Sequence, residues 1–199
     1  PLPTAAWSQG PHDGWNGSWL LSGRARRSPT PAELRAQAVH ALSTRITSLY
    51  WFNLSLKSLL KFPDTWEPMR RIGREVKMLA PYYLAGDAYH FERTMTADKQ
   101  FDWDFAAIAC ESCAILFAVD LAYQPDTTDN TFRFGEPRQF NRSFPLPHWL
   151  KKPSDVFRVD ADGIHPVQWE ADDHGVQITQ RASQDAIFVV TKSANVRAE

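Results

Sequence analysis

An α/β segment followed by an all-β segment, the second read as an antiparallel β-sandwich, is the fold class this sequence predicts. Three observations predict it. Strand-like and helix-like runs alternate as far as Gly86. Beyond Gly86 every regular run reads as a strand, short and bounded by turn residues. The first segment also has too few strands to bury both faces of its own sheet, so it leaves edges and an apolar face open.

Residues 3–9 (PTAAWSQ) form a short, mostly apolar run, followed by a loop rich in Gly, Trp and Asn that reaches Trp19. Thr30 then caps a helix, Pro31 suits its first position, and Glu33 completes a capping box. Leu34, Ala38, Ala41 and Leu42 recur at helical spacing, and the helix stops near Ser43. Residues 46–52 (ITSLYWF) do not alternate cleanly and read as a strand buried on both faces. A Lys/Leu/Ser loop follows, and residues 62–66 lead into a second helix with Glu67 as a cap. Its buried stripe is Met69, Ile72, Val76 and Leu79; Arg70, Arg71, Arg74, Glu75 and Lys77 lie mainly outside, and Pro81 ends it. The strands expected after Gly86 span residues 88–95, 103–109, 113–123, 131–134, 156–159, 167–171, 176–181 and 186–191. Asp172, Asp173 and Gly175 mark a hairpin between the sixth and seventh. The division is therefore residues 1–86 and residues 87–199.

The chain has 199 residues, is 43% hydrophobic and carries a formal charge of −1, so it can bury a core. Near-neutrality argues against an electrostatic grip on nucleic acid or an anionic membrane. The longest apolar stretch, residues 106–119, is interrupted by Glu111 and Ser112 and falls short of a membrane span. No charged leader with an apolar centre marks a signal peptide, and Pro1 in place of Met favours a fragment or a processed chain. The six histidines lack metal-ligand spacing, and no glycine-rich phosphate loop is present, so neither metal nor cofactor is expected.

Cys110 and Cys113 form a C-x-x-C without the second pair or nearby histidines that a zinc ribbon needs. A thioredoxin-type site would place the motif at a helix N-terminus. Here the flanks read as strands around a Glu111-Ser112 turn. The expectation is a pair facing across a hairpin, able to bond, with no catalytic role.

The order of these elements resembles the end of a (β/α)₈ glycoside hydrolase. Residues 27–42 resemble the helix before the last barrel strand, and residues 48–53 (SLYWFN) resemble the eighth strand. Residues 66–81 resemble the closing helix, and residues 102–120 the first strands of an appended C-terminal sandwich. The resemblance implies the C-terminal part of a TIM barrel, its last two βα units, followed by that sandwich. It implies a carbohydrate substrate and an N-terminal barrel portion, in the same gene product or a separate chain, that completes the fold. Residues 3–9 then become strand seven.

Barrel enzymes carry their chemistry at the C-terminal ends of strands. The resemblance therefore places Gln9, Asp13, Trp15, Trp19, Trp51 and Asn53 at the mouth, with Gln9, Trp15, Trp19, Trp51 and Asn53 as substrate-binding candidates. Aromatic faces stack on sugar rings and amides hydrogen-bond hydroxyls; Trp7 and Trp51 are equally suited to filling a barrel core. Glycoside hydrolysis normally uses two carboxyl groups. Where one large clan has its nucleophilic Glu, at the end of strand seven, this sequence has Gln9. Asp13 is the one carboxylate in the following loop, so the catalytic carboxylates are expected outside this chain. The alternative is a non-catalytic carbohydrate-binding or scaffold module.

Overall fold

The computed structural model of the chain describes residues 3–11, 28–52, 54–126, 128 and 131–193. Strands β1 (Ala5–Gln9) and β2 (Ser48–Phe52) pair in parallel, from Ala5 beside Ser48 to Gln9 beside Phe52. Helix α1 (Pro31–Ser43) lies between them in sequence. Its capping box is complete: Glu33 N–H donates to Thr30 Oγ1 at 3.2 Å, and Thr30 N–H donates to Glu33 Oε2 at 2.7 Å. A short helix α2 (Leu56–Lys61) and a 3-10 turn (Pro63–Thr65) lead into α3 (Trp66–Ala85).

Several sequence expectations for this half need correction. Residues 54–61 contain α2 rather than only a loop, because the Ser55 hydroxyl accepts from Ser58 N–H and starts a turn. Strand β2 is not buried on both faces: Tyr50 is 50% exposed and Phe52 41%. Glu67 caps nothing by its side chain and instead pairs with Arg70 at 2.7 Å one turn on. Helix α3 passes through Pro81 to Ala85. Tertiary contacts hold that last turn against the lost N–H: Tyr83 donates to Leu42 O at 2.6 Å, while Arg45 donates to Leu84 O at 3.2 Å and Gly86 O at 2.6 Å.

After Gly86 come β3 (Asp87–Met95), β4 (Phe101–Ala109), β5 (Cys113–Asp120), β6 (Gln124–Asp126), β7 (Thr131–Arg133) and β8 (Arg138–Pro145). Then follow β9 (Asp155–Asp160), β10 (Gly163–Pro166), β11 (Gln168–Ala171), β12 (Gly175–Ala182) and β13 (Asp185–Thr191). Strands β6, β8 and β10 were not expected. Each is poor in apolar residues, and β8 (RQFNRSFP) shows only Phe140 and Phe144 buried among polar neighbours. The six-stranded sheet runs β10-β9-β13-β5-β4-β3, the three-stranded one β11-β12-β8, and β6 pairs β7; all these pairings are antiparallel. The expected hairpin joins β11 to β12, where Asp172 Oδ1 accepts from His174 N–H at 2.7 Å and Gly175 N–H at 2.6 Å.

Both faces of the six-stranded sheet are covered. Alternation along β5 sends Ala114, Leu116 and Ala118 into one core with Phe140, Phe144, Val176 and Ile178 of the three-stranded sheet. Ile115, Phe117 and Val119 point the other way, into a core with Val39 and Leu42 of α1 and Leu79 and Tyr83 of α3. The helices are also fastened to the sheet by charge. Arg35 on α1 donates to Asp185 at 2.9 and 2.7 Å and pairs with Glu75 on α3, whose Oε1 accepts from Ala161 N–H at 3.0 Å. Glu75 is thus buried, not solvent-facing as its place outside the stripe implied; Val76 of the stripe is only half-buried.

Candidate functional site

The parallel register brings the C-terminal ends of β1 and β2 side by side. Gly10 N–H extends the ladder to Phe52 O at 3.0 Å. A Cβ on Gly10 would lie 3.0 Å from that oxygen and 3.3 Å from Trp51 Cβ, so the close approach suits glycine. Gln9 N–H donates to Gln37 Oε1 of α1 at 2.9 Å, which fixes the strand end against the helix.

Alternation then divides the side chains between two faces. Trp7, Gln9, Tyr50 and Phe52 share one face by register. On it Trp7 stacks on Tyr50 with ring centroids 5.4 Å apart and meets Phe52 edge-on at 6.3 Å. Trp7 is 70% exposed, far from any core role among the described residues. The opposite face carries Ala6, Ser8, Leu49 and Trp51; Ala6 and Leu49 pack on the core shared with α1 and α3.

Beside Gln9 lies a cavity of about 400 Å³ lined by Glu33, Gln37, His40, Tyr123, Phe132 and Phe134, among others. Tyr123 meets Phe132 edge-on at 5.4 Å. Glu33 reaches it as a strut: Oε1 accepts from Phe132 N–H at 3.0 Å while Oε2 serves the α1 cap. His40 Nδ1 stands 4.0 Å from Asp104, and its buried Nε2 has no hydrogen bond among the described residues. Burial holds His40 below its usual 6.5, with Arg93 adding to the effect and Asp104 opposing it. The unfolded chain therefore takes up this proton first, and stability falls as the pH drops below about 6.5 through the lower folded value. His40→Gln should flatten the decline in urea-unfolding free energy between about pH 7 and pH 5. An unchanged slope would mean that His40 does not contribute to it.

Of the residues singled out in the sequence, Gln9 stands at the strand end on the aromatic face. Trp51 is half-buried and by alternation belongs to the opposite, helix-side face. Asp13, Trp15, Trp19 and Asn53 lie outside the described residues. Tyr50 and Phe52, which share the face of Gln9, were not among the residues singled out, although strict alternation from Trp7 across the parallel pair groups them with it. Neither β1 nor β2 carries a carboxylate. The arrangement can stack aromatic rings and offer amide hydrogen bonds.

No family model and no curated protein matches the chain. Among solved structures it is similar to an α-amylase from Anoxybacillus, at 12% identity and a TM-score of 0.47, over 82% of this chain and 33% of that one. It is similar to the glycoside hydrolase family 30 subfamily 8 xylanase Xyn30A from Clostridium acetobutylicum, at 11% identity and a TM-score of 0.47, over 94% and 41% of the two chains. An α-amylase from Geobacillus thermoleovorans gives 10% identity and a TM-score of 0.48, over 84% and 35%. The chain thus spans well under half the length of each of these structures.

Proposed function

We propose that this chain is part of a glycoside-hydrolase-like protein acting on a carbohydrate. Residues 1–86 contribute the last two βα units of a (β/α)₈ barrel, and residues 87–199 form an accessory β-sandwich behind it. The observation that carries the reading is the aromatic face of the β1–β2 pair. Trp7, Tyr50 and Phe52 are 70%, 50% and 41% exposed on a parallel pair that has no further strand beside it among the described residues, as the inner face of an unfinished barrel would be. Gln9 stands on that same face at the C-terminal end of its strand, where barrel proteins meet their ligands. Trp15, Trp19 and Asn53 extend the surface in this reading, and Trp51 supports it from the helix side. The catalytic carboxylates come from the completing barrel portion.

A second reading, a non-catalytic carbohydrate-binding module, is favoured by one specific feature: Gln9 occupies the position where a nucleophilic carboxylate would stand. A glycan array followed by titration calorimetry on the protein together with its barrel portion tests both. Binding is expected, and Trp19→Ala should weaken it by about 1–3 kcal/mol with little change in melting temperature. Release of reducing ends separates the enzyme from the binding module. Absence of binding to any glycan would overturn both readings.

A further inference from the structure

The C-x-x-C turn carries chemistry that the glycan reading does not use. Cys110 follows β4 and Cys113 opens β5, with Cys110 N–H donating to Cys113 O at 2.8 Å. Both cysteines are unbonded thiols, and their sulfurs lie 2.6 Å apart. The two are not equivalent. Cys113 is 1% exposed and Cys110 7%. Cys110 lines a depression of about 460 Å³ together with Asp87, Glu111, Trp149 and Lys192. Its backbone is held there by Trp149, whose indole N–H donates to Cys110 O at 3.1 Å. Its sulfur accepts from Cys113 N–H at 3.1 Å and lies 3.8 Å from the Ser112 hydroxyl.

We propose that Cys110 and Cys113 form a thiol–disulfide exchange site for low-molecular-weight disulfides such as oxidised glutathione. The Cys110 thiolate attacks one sulfur of the disulfide, an S–S bond forms to Cys110, and one glutathione thiolate leaves. The Cys113 thiol passes its proton to the glutathione thiolate released in the first step, and its sulfur attacks the Cys110 sulfur. The intramolecular disulfide forms and the second glutathione thiolate departs. Two protein thiols are oxidised and one disulfide is reduced to two thiols.

The geometry supplies each requirement. Cys110 lines an open depression, Cys113 is shielded, and closing the bond needs a shift of only about half an ångström toward the ordinary length of about 2.05 Å. Donors directed at Cys110 favour its ionised form: chiefly the Cys113 thiol, against the opposing effect of burial, they bring it down to about 6. The same hydrogen bond, and then burial, push Cys113 upward, so the charge resides on the reachable sulfur. Once Cys110 is in the mixed disulfide it no longer holds the Cys113 proton by charge, and the second step is released.

The test uses the full, reduced chain mixed with oxidised glutathione and followed by intact mass. The wild type should lose two hydrogen atoms and retain no glutathione. Cys113→Ser should stop at one glutathione adduct on Cys110, and Cys110→Ser should react about ten-fold more slowly or less. An adduct forming as fast on Cys110→Ser, or a wild type left unchanged or trapped as the mixed disulfide, would overturn the proposal. Cys113→Ala serves should the serine variant lose its circular-dichroism signal. A readout without any variant is the alkylation rate of the wild type against pH. It should rise through about pH 6, whereas a rise only near the usual thiol value of about 8.5 would overturn the assignment.

Discussion

Replacing Arg35 with alanine is expected to destabilise the chain by about 3–5 kcal/mol, measured by urea unfolding at neutral pH. Arg35 links three elements at once: its own helix α1, Glu75 on α3 and Asp185 at the start of β13. The side chains of Glu75 and Asp185 are 5% and 6% exposed, so removing the guanidinium strands two carboxylates away from water. Burial already raises Glu75 above the ordinary carboxylate range, with Arg35 opposing that rise, so the variant should push it further still. Burial by itself would lower Arg35, but Asp185 and Glu75 more than offset it.

The variant also separates two origins of that loss. A buried ion triad often contributes little net stability beyond apolar residues of the same shape, while breaking it is costly. Arg35→Met combined with Glu75→Leu and Asp185→Leu should therefore recover most of the stability lost by Arg35→Ala. A single Arg35→Ala costing under about 1 kcal/mol would place the triad with ordinary surface pairs. It would also weaken the view that α1 and α3 are held on the sheet by charge as well as by Leu42, Leu79 and Tyr83.

The Glu75 network marks where sequence reading stops. A charged residue beside the apolar stripe of an amphipathic helix reads as solvent-facing, because its partners, Arg35 and the Ala161 N–H, lie 40 residues before it and 86 residues after it and only folding brings them together. Local signals were legible: Thr30 and Glu33 define the start of α1, and Asp172 with Gly175 defines the β11–β12 turn, since both need only neighbours in sequence. The apolar runs of β4, β5 and β13 were legible for a different reason. Strands covered on both faces have no polar side, so they stand out by density alone.

Of the aromatic face only the strand end at Gln9 was legible in the sequence. Gln9 was found because it ends an apolar run. Residues 46–52 gave the wrong impression of a strand buried on both faces because Leu49 and Trp51 turn toward the helices while Tyr50 and Phe52 are equally apolar and uncovered. Hydrophobicity cannot distinguish an aromatic ring that is buried from one that awaits a partner; parity along the strand can. Trp7 pairs with Tyr50 and Gln9 with Phe52, so the exposed face follows once one of its members is placed. The Pro81 stop failed similarly: a proline forfeits one backbone bond, but the Tyr83 hydroxyl and the Arg45 guanidinium restore more than it removes.

Phe144→Ala should have a comparable effect to Arg35→Ala, about 3–5 kcal/mol, but by a purely apolar route. Phe144 is fully buried on β8, with its ring centroid 5.6 Å from Phe105 at 86° and 6.4 Å from Phe188 at 57°. Those partners lie on β4 and β13, so this one ring joins the three-stranded sheet to the six-stranded one. Its deletion opens a cavity and removes one edge-to-face contact, worth about 0.5–1.5 kcal/mol, and one tilted contact. Little collapse can relieve it, because Gly175 lies directly against the Phe144 backbone and Val176 stands beside it in register. Phe144→Leu keeps most of the volume and should cost about 1–2 kcal/mol. Hydrogen exchange would show where the loss falls: protection should drop first in β8, β11 and β12, and least in α1 and α3, which belong to the other core. A uniform drop across both cores would mean that the chain unfolds as one unit and that the ring is not a local clamp. If instead only the three-stranded sheet loosens, the glycan binding proposed for the Gln9 face should be unchanged in the variant, because Phe144 belongs to the core on the opposite face of the six-stranded sheet.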